Sequence, residues 1–173
     1  MRRPVLLAVA ATSVLLVGVA TPAAASAGPA RVLVDSYVVS AHAPDLALSI
    51  ENDPSEVGAR AELAPLTGAP EQRWELGEND ITDLRNIGTG KCLTFADAPV
   101  LPRPVVQAEC DGTDQQTWYY VAADAGFDSW RFQNVATDTC ITAVDLRPGA
   151  PLFEAPCDEE DTRQQWTSVE PGQ

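Results

Sequence analysis

Few residues of this chain are suited to bond-making chemistry. Its single histidine is His42. There is no Gly-x-Ser-x-Gly, no His-Glu-x-x-His and no phosphate-binding glycine loop. An activated serine, a zinc hydrolase site and a phosphate cradle are therefore not expected. Neither is a catalytic role or a cofactor. Asp158-Glu159-Glu160-Asp161 sets four acids side by side. Such a run could hold calcium, but no glycine lets it wrap an ion, so a solvated acidic loop is expected.

The four cysteines carry the clearest chemistry. Cys92 and Cys110 are 18 positions apart, and Cys140 and Cys157 are 17 apart. Four cysteines allow three pairings. Each pair falls at the same place in its own repeat, as laid out below, so the expected disulfides are Cys92–Cys110 and Cys140–Cys157. A zinc site is the rival arrangement. Without a Cys-x-x-Cys, and with His42 in another repeat, no metal site is expected.

Disulfides call for an oxidising compartment, and the N-terminus points to one. Arg2 and Arg3 form a positive start, Val5 to Ala20 is apolar, and Ala23-Ala24-Ala25-Ser26-Ala27 supplies small residues. This reads as a secretory signal peptide over residues 1–27, cut after Ala25 or Ala27. The run is short for a membrane span, and Thr12 and Ser13 interrupt it. A secreted domain over residues 28–173 is expected. Arg2 and Arg3 are two of the chain's 11 basic residues, so the remainder holds 9 against 25 acids, a net of −16. Such acidity repels phosphate backbones and anionic membranes, so neither nucleic acid nor membrane is an expected partner.

The elements that would position these groups come in threes. Gln72-Arg73-Trp74, Gln116-Thr117-Trp118 and Gln164-Gln165-Trp166 repeat at steps of 44 and 48 residues. A period of this length marks one structural unit used three times. The repeats run over about 37–76, 81–122 and 130–169. Asn86-Ile87-Gly88-Thr89-Gly90-Lys91-Cys92-Leu93-Thr94 lies beside Asn134-Val135-Ala136-Thr137-Asp138-Thr139-Cys140-Ile141-Thr142. In the first repeat Ala47-Leu48-Ser49-Ile50 stands in place of Cys92-Leu93-Thr94-Phe95, and Leu66 stands near the second cysteine. Apolar side chains there replace the disulfide.

Each repeat offers four short runs of strand type, punctuated by proline, glycine and Asp-Gly pairs. The first strand of the second repeat is expected at Asp83–Ile87. No window outside the N-terminal segment shows sustained helical periodicity. Twelve short strands in three sets of four predict an all-β chain closed about a pseudo-threefold axis, because closure removes exposed edges.

Three Gln-x-Trp copies, with Cys-Leu upstream and a second cysteine before the tryptophan, resemble the ricin B-chain type of β-trefoil lectin domain. The likeness covers essentially all of the chain beyond the N-terminal segment. It implies a β-trefoil in which Trp74, Trp118 and Trp166 are buried in a shared core. It also implies that each motif glutamine ties a turn to the backbone.

The same resemblance implies sugar binding, and here the chain departs from the pattern. Family pockets use the Asp of Cys-Leu-Asp as acceptor for sugar hydroxyls and an aromatic two residues before the second cysteine as a stacking face. Thr94, Thr142 and Ser49 occupy the Asp positions; Ala108, Ala155 and Ala64 stand at or near the aromatic ones. The pockets are thus depleted. Thr94, Asp97, Gln116, Thr142, Asp145 and Gln164 are the remaining candidates for carbohydrate contact, with Asp97 and Asp145 entering from loops. Phe153 could offer a face, though a core position explains it as well.

The expected function is a secreted, non-catalytic, lectin-like carbohydrate-binding module acting as a monomer on a glycan or polysaccharide. The alternative is a protein-binding trefoil such as a secreted protease inhibitor. Its binding loops would be Ala98-Pro99-Val100-Leu101-Pro102-Arg103-Pro104, with Arg103 as a contact residue, and Asp53-Pro54-Ser55-Glu56.

Overall fold

The structure, a computed structural model, describes residues 33–51, 55–77, 80–126 and 128–172. The expected signal peptide, residues 1–27, and the pair Asp53-Pro54 lie outside them. The chain is all-β. In the first repeat the strands are β1 (Leu33–Ser40), β2 (Ala43–Ile50), β3 (Ala61–Pro65) and β4 (Arg73–Gly77). The second has β5 (Ile81–Thr82), β6 (Arg85–Asn86), β7 (Cys92–Phe95), β8 (Val105–Ala108) and β9 (Trp118–Ala122). β10 (Trp130–Asn134), β11 (Thr139–Ala143), β12 (Ala150–Pro156) and β13 (Trp166–Val169) make the third.

The first and last strands of the repeats close a ring. β1 pairs with β4 and with β13. β6 pairs with β4, and β5 pairs with β9. β10 then joins β9 to β13 and completes the circuit. The hairpins β2–β3, β7–β8 and β11–β12 lie off the ring. They also meet one another: β3 pairs with β12, and single bridges join Arg60 to Val106 and Pro104 to Phe153. This is a β-trefoil, a closed barrel capped by three hairpins.

One strand departs from expectation. The run Asp83–Ile87 is not continuous; Ile81–Thr82 and Arg85–Asn86 form separate short strands with Asp83 and Leu84 between them. The cause is a change of partner. β5 lies on β9, whereas β6 turns to β4 and β7. β1 makes the same transfer at Tyr37 without a break.

Equivalent positions fill the core. Val38, Leu84 and Phe132 are fully buried, as are Trp74, Trp118 and Trp166. Each Gln-x-Trp glutamine ends a single 3-10 turn and is itself buried. Their Oε1 atoms accept from the N–H of Thr67, Asp111 and Asp158, each at 2.9 Å. The Nε2 atoms donate to the carbonyls of Pro65 (2.8 Å), Glu109 (2.8 Å) and Pro156 (2.9 Å). One amide thus staples both ends of the loop leading to each final strand and satisfies backbone groups that burial would otherwise leave unpaired.

Cys92–Cys110 and Cys140–Cys157 are bonded, each within its own repeat. In the first repeat Ala47 is fully buried, as expected for a filled cystine site. Leu66 is only half-buried. Its counterpart Cys110 is exposed, so this end of the bridge lies at the surface and leucine has no deep pocket to fill there.

Candidate functional site

The three positions that follow the buried strand pair Ala-Leu, Cys-Leu or Cys-Ile give the three repeats different surfaces. Ser49 and Thr142 are buried, whereas Thr94 reaches the surface. Thr142 Oγ1 accepts from Gln164 Nε2 at 2.9 Å and donates to the Cys140 carbonyl at 3.3 Å. Thr94 Oγ1 instead donates outward to the Gln115 carbonyl at 3.2 Å, or to that of Phe95 at 3.4 Å.

Thr94 lines a hollow of about 220 Å³ shared with Phe95, Asp97, Arg103, Gln115, Asn134 and Thr137. The second repeat supplies one wall and the start of the third repeat the other. Asn134 joins them, since its Nδ2 donates to the Gln115 carbonyl at 2.9 Å while its Oδ1 accepts from Ala136 N–H at 3.1 Å. The loop from Ala96 to Pro104 is closed by the Ala96 N–H donating to the Pro104 carbonyl at 2.9 Å, and it carries Asp97 and Arg103.

Arg103 is fixed from below. Its Nε and Nη2 donate to the two carboxylate oxygens of Glu154 at 2.5 and 2.7 Å. Glu154 is buried on β12, and Thr139 Oγ1 also donates to it, at 2.8 Å. Thr137 and Thr139 share a hydroxyl bond of 2.6 Å, which returns the chain of contacts to the hollow. The guanidinium lies 5.5 Å above the Phe95 ring, a cation–π contact that covers the aromatic face. Phe95 is 7% exposed and so gives a ligand no stacking surface.

The ionisation of these groups follows from that arrangement. The Arg103 hydrogen bonds hold the Glu154 carboxyl below its ordinary 4.5, against burial, with Thr139 and Thr137 assisting. Arg103 is raised, first by its bond to Glu154 and further by the charges of Glu154 and Asp97. A carboxylate depressed in the folded state stabilises the fold above its unfolded pKa, and that stability is lost as pH falls through the folded value. Glu154→Gln is therefore expected to cost about 1–3 kcal/mol at neutral pH. It should also flatten the loss of stability on acidification below 4.5, as measured by urea unfolding at a series of pH values. Equal acid sensitivity in the variant and the parent would refute the assignment.

Of the six sequence candidates for sugar contact, only Thr94 and Asp97 line this hollow. Gln116, Gln164 and Thr142 are buried and bonded to the protein, so their expected part in sugar contact gives way to an architectural one. Asp145 is half-buried on the third-repeat loop and does not line this hollow. Nor does that repeat present an equivalent of Gln115. Arg163 stands in its place, binding Asp161 through Nε (2.9 Å) and Nη2 (2.7 Å) and donating from Nη1 to the Val144 carbonyl at 3.4 Å. Arg103 is likewise unavailable as an exposed inhibitor contact; the tip of its loop is Val100 and Leu101, 72% and 71% exposed.

Sequence reasoning did not place Arg103, Gln115, Asn134 and Thr137 in one site. One signal was present. Leu63, Gln107 and Glu154 occupy the same buried position in successive hairpins, opposite Leu48, Leu93 and Ile141. A glutamate where another repeat keeps a leucine needs a cation nearby. Phe153 is also not core: half-buried on β12, it lines, with Pro102, two surface grooves of about 430 and 350 Å³.

Comparison with known proteins agrees with this architecture. A family model described as the ricin-type beta-trefoil lectin domain matches residues 35–166. The designed threefold-symmetric protein ThreeFoil is similar in structure at a TM-score of 0.70 and 21% identity, over 79% of this chain and 98% of that one. A Macrolepiota procera ricin B-like lectin, solved in complex with lactose, gives 0.65 and 16% over 79% and 95%. The exo-beta-1,3-galactanase 1,3Gal43A from Clostridium thermocellum gives 0.69 and 17%, with 79% of this chain covering 30% of that chain. No curated protein matches in sequence.

Proposed function

The chain belongs to the ricin-type beta-trefoil lectin domain family, and from that premise we propose that it is a secreted, non-catalytic glycan-binding module with one working pocket, in the second repeat. The observation that carries this reading is the contrast among equivalent hydroxyls: Thr94 opens onto a hollow, while Ser49 and Thr142 are enclosed. Asp97 takes over the acceptor role from the loop. Thr94 and Thr137 supply hydroxyls, and Arg103 stiffens the rim through Glu154. Secretion is supported by the apolar N-terminal run with its small-residue end and by two disulfides.

Affinity should be low. Neutral hydrogen bonds exchanged with water contribute about 0.5–1.5 kcal/mol each, and the site lacks a stacking face. A monosaccharide is expected to bind with Kd on the order of millimolar. The test is a glycan array on the purified protein, followed by calorimetric titration of the strongest ligand. Asp97→Ala is expected to weaken binding about tenfold or more, since a hydrogen bond to a charged group contributes about 1.5–3 kcal/mol. Asp145→Ala is expected to leave it unchanged. Binding that needs Asp145 and ignores Asp97 would place the site in the wrong repeat.

A further inference from the structure

The pocket's charge balance points to a class of sugar, an inference that rests on the glycan-binding reading above. Three ionised groups meet at or beneath the hollow: Asp97, Arg103 and Glu154. Arg103 and Glu154 are matched, two N–H groups to two carboxylate oxygens. Glu154 comes from the third repeat, is 5% exposed and does not line the hollow. Asp97 is exposed on the rim, and among the described residues its carboxylate makes no hydrogen bond or ion pair, although its charge acts on Arg103. The trio therefore leaves one negative charge facing the ligand.

The neutral groups have the same bias. The Thr94 hydroxyl hydrogen is directed to a backbone carbonyl, so its oxygen is left to accept. Thr137 Oγ1 shares its hydrogen with Thr139 or Asn134, and the Asn134 Nδ2 is held by the Gln115 carbonyl. Thr94 and Thr137 thus face the hollow as acceptors, beside a guanidinium whose charge Glu154 balances. The whole chain carries −14, which adds a long-range penalty for anionic ligands. A carboxylated sugar would meet the Asp97 carboxylate, and the one guanidinium that lines the hollow, Arg103, is already balanced by Glu154. An ammonium supplies three donors and the opposite charge.

We propose that this pocket selects glycans bearing unsubstituted amino groups, with the sugar ammonium held by Asp97 and accepted by Thr94 and Thr137. Uronic acids are excluded by the same carboxylate, and N-acetylated sugars lose the charge that Asp97 answers.

The test is calorimetric titration of the intact protein with four disaccharides: a glucosamine dimer, its N-acetylated form, a neutral hexose dimer and a uronic acid dimer. Salt at about 0.15 M confines charge effects to roughly 8 Å. The free-amine sugar is expected to bind about tenfold or more tighter than its N-acetylated form, and the uronic acid most weakly. Asp97→Asn should erase that advantage. Glu160→Gln, an equal charge change on an exposed turn outside the hollow, should not. Equal losses in the two variants would mean attraction by the whole surface and would overturn the proposal. So would equal or tighter binding of the N-acetylated or uronic sugar. Binding of the neutral dimer alone would leave the glycan reading standing and remove the amine selectivity; silence from all four would remove both.

Discussion

Trp118→Ala is expected to destabilise the protein by about 3–5 kcal/mol, the range for removing a large buried aromatic. Trp118 is fully buried, and Phe95 meets its ring edge-on at 5.2 Å between centroids. Truncation leaves a cavity lined by strands of a closed ring, which cannot collapse without breaking pairings on both sides. For a domain of this size the midpoint of thermal unfolding should fall by roughly 10 °C. The three motif tryptophans can be separated by replacing each with phenylalanine. Trp74 Nε1 donates to the Leu48 carbonyl at 3.0 Å, whereas Trp118 and Trp166 Nε1 are buried with no partner among the described residues. Trp74→Phe should therefore cost more than the other two, because it orphans a buried carbonyl. Equal effects at the three positions, measured by chemical denaturation, would show that the indole N–H has no part in the difference.

Removing both cysteines of one bridge is expected to have the next largest effect. The loops closed by Cys92–Cys110 and Cys140–Cys157 span 18 and 17 residues. In the chain-entropy account each contributes about 3 kcal/mol by restricting the unfolded chain. At the buried end of the bridge, the paired change Cys92→Ala with Cys110→Ala should reproduce the first repeat's own solution, in which Ala47 is buried opposite Ala64. The loss should then appear as a lower denaturation midpoint with strand content retained. Circular dichroism showing loss of the fold would instead mean that the bridge builds the hairpin rather than stabilising it. Both bridges are local, so the two paired changes should add.

These expectations separate what is local in the chain from what is not. The repeat, the strand positions and the cystine pairs were legible because each depends on residues close in sequence. Gln116 and Glu109, or Cys140 and Cys157, are read within one unit. The glutamine staples and the enclosed tryptophans recur in every unit, as the family resemblance implied. The break in the strand expected at Asp83–Ile87 was not legible, because it arises where one strand changes partners between repeats.

The pocket belongs to the second kind. Thr94 and Asp97 could be nominated from their offsets within the repeat, but so could Thr142 and Asp145, and nothing in their spacing ranks them. Arg103 and Glu154 are 51 residues apart and meet only because Pro104 bridges to Phe153 across two hairpins. Asn134 and Thr137 reach the second repeat's hollow because the barrel sets the start of each unit against the end of the one before.

The amino-acid order alone settled a triplicated all-β unit and its two sulfur bridges, since short-range pattern fixes those within each unit, and the resemblance it carries implied the core tryptophans. Folding in three dimensions decided which of three equivalent surfaces is open and what charge it carries. Those properties depend on contacts between units, where one side chain such as Arg163 or Glu154 can close a site or balance its charge without altering the repeat that encodes it.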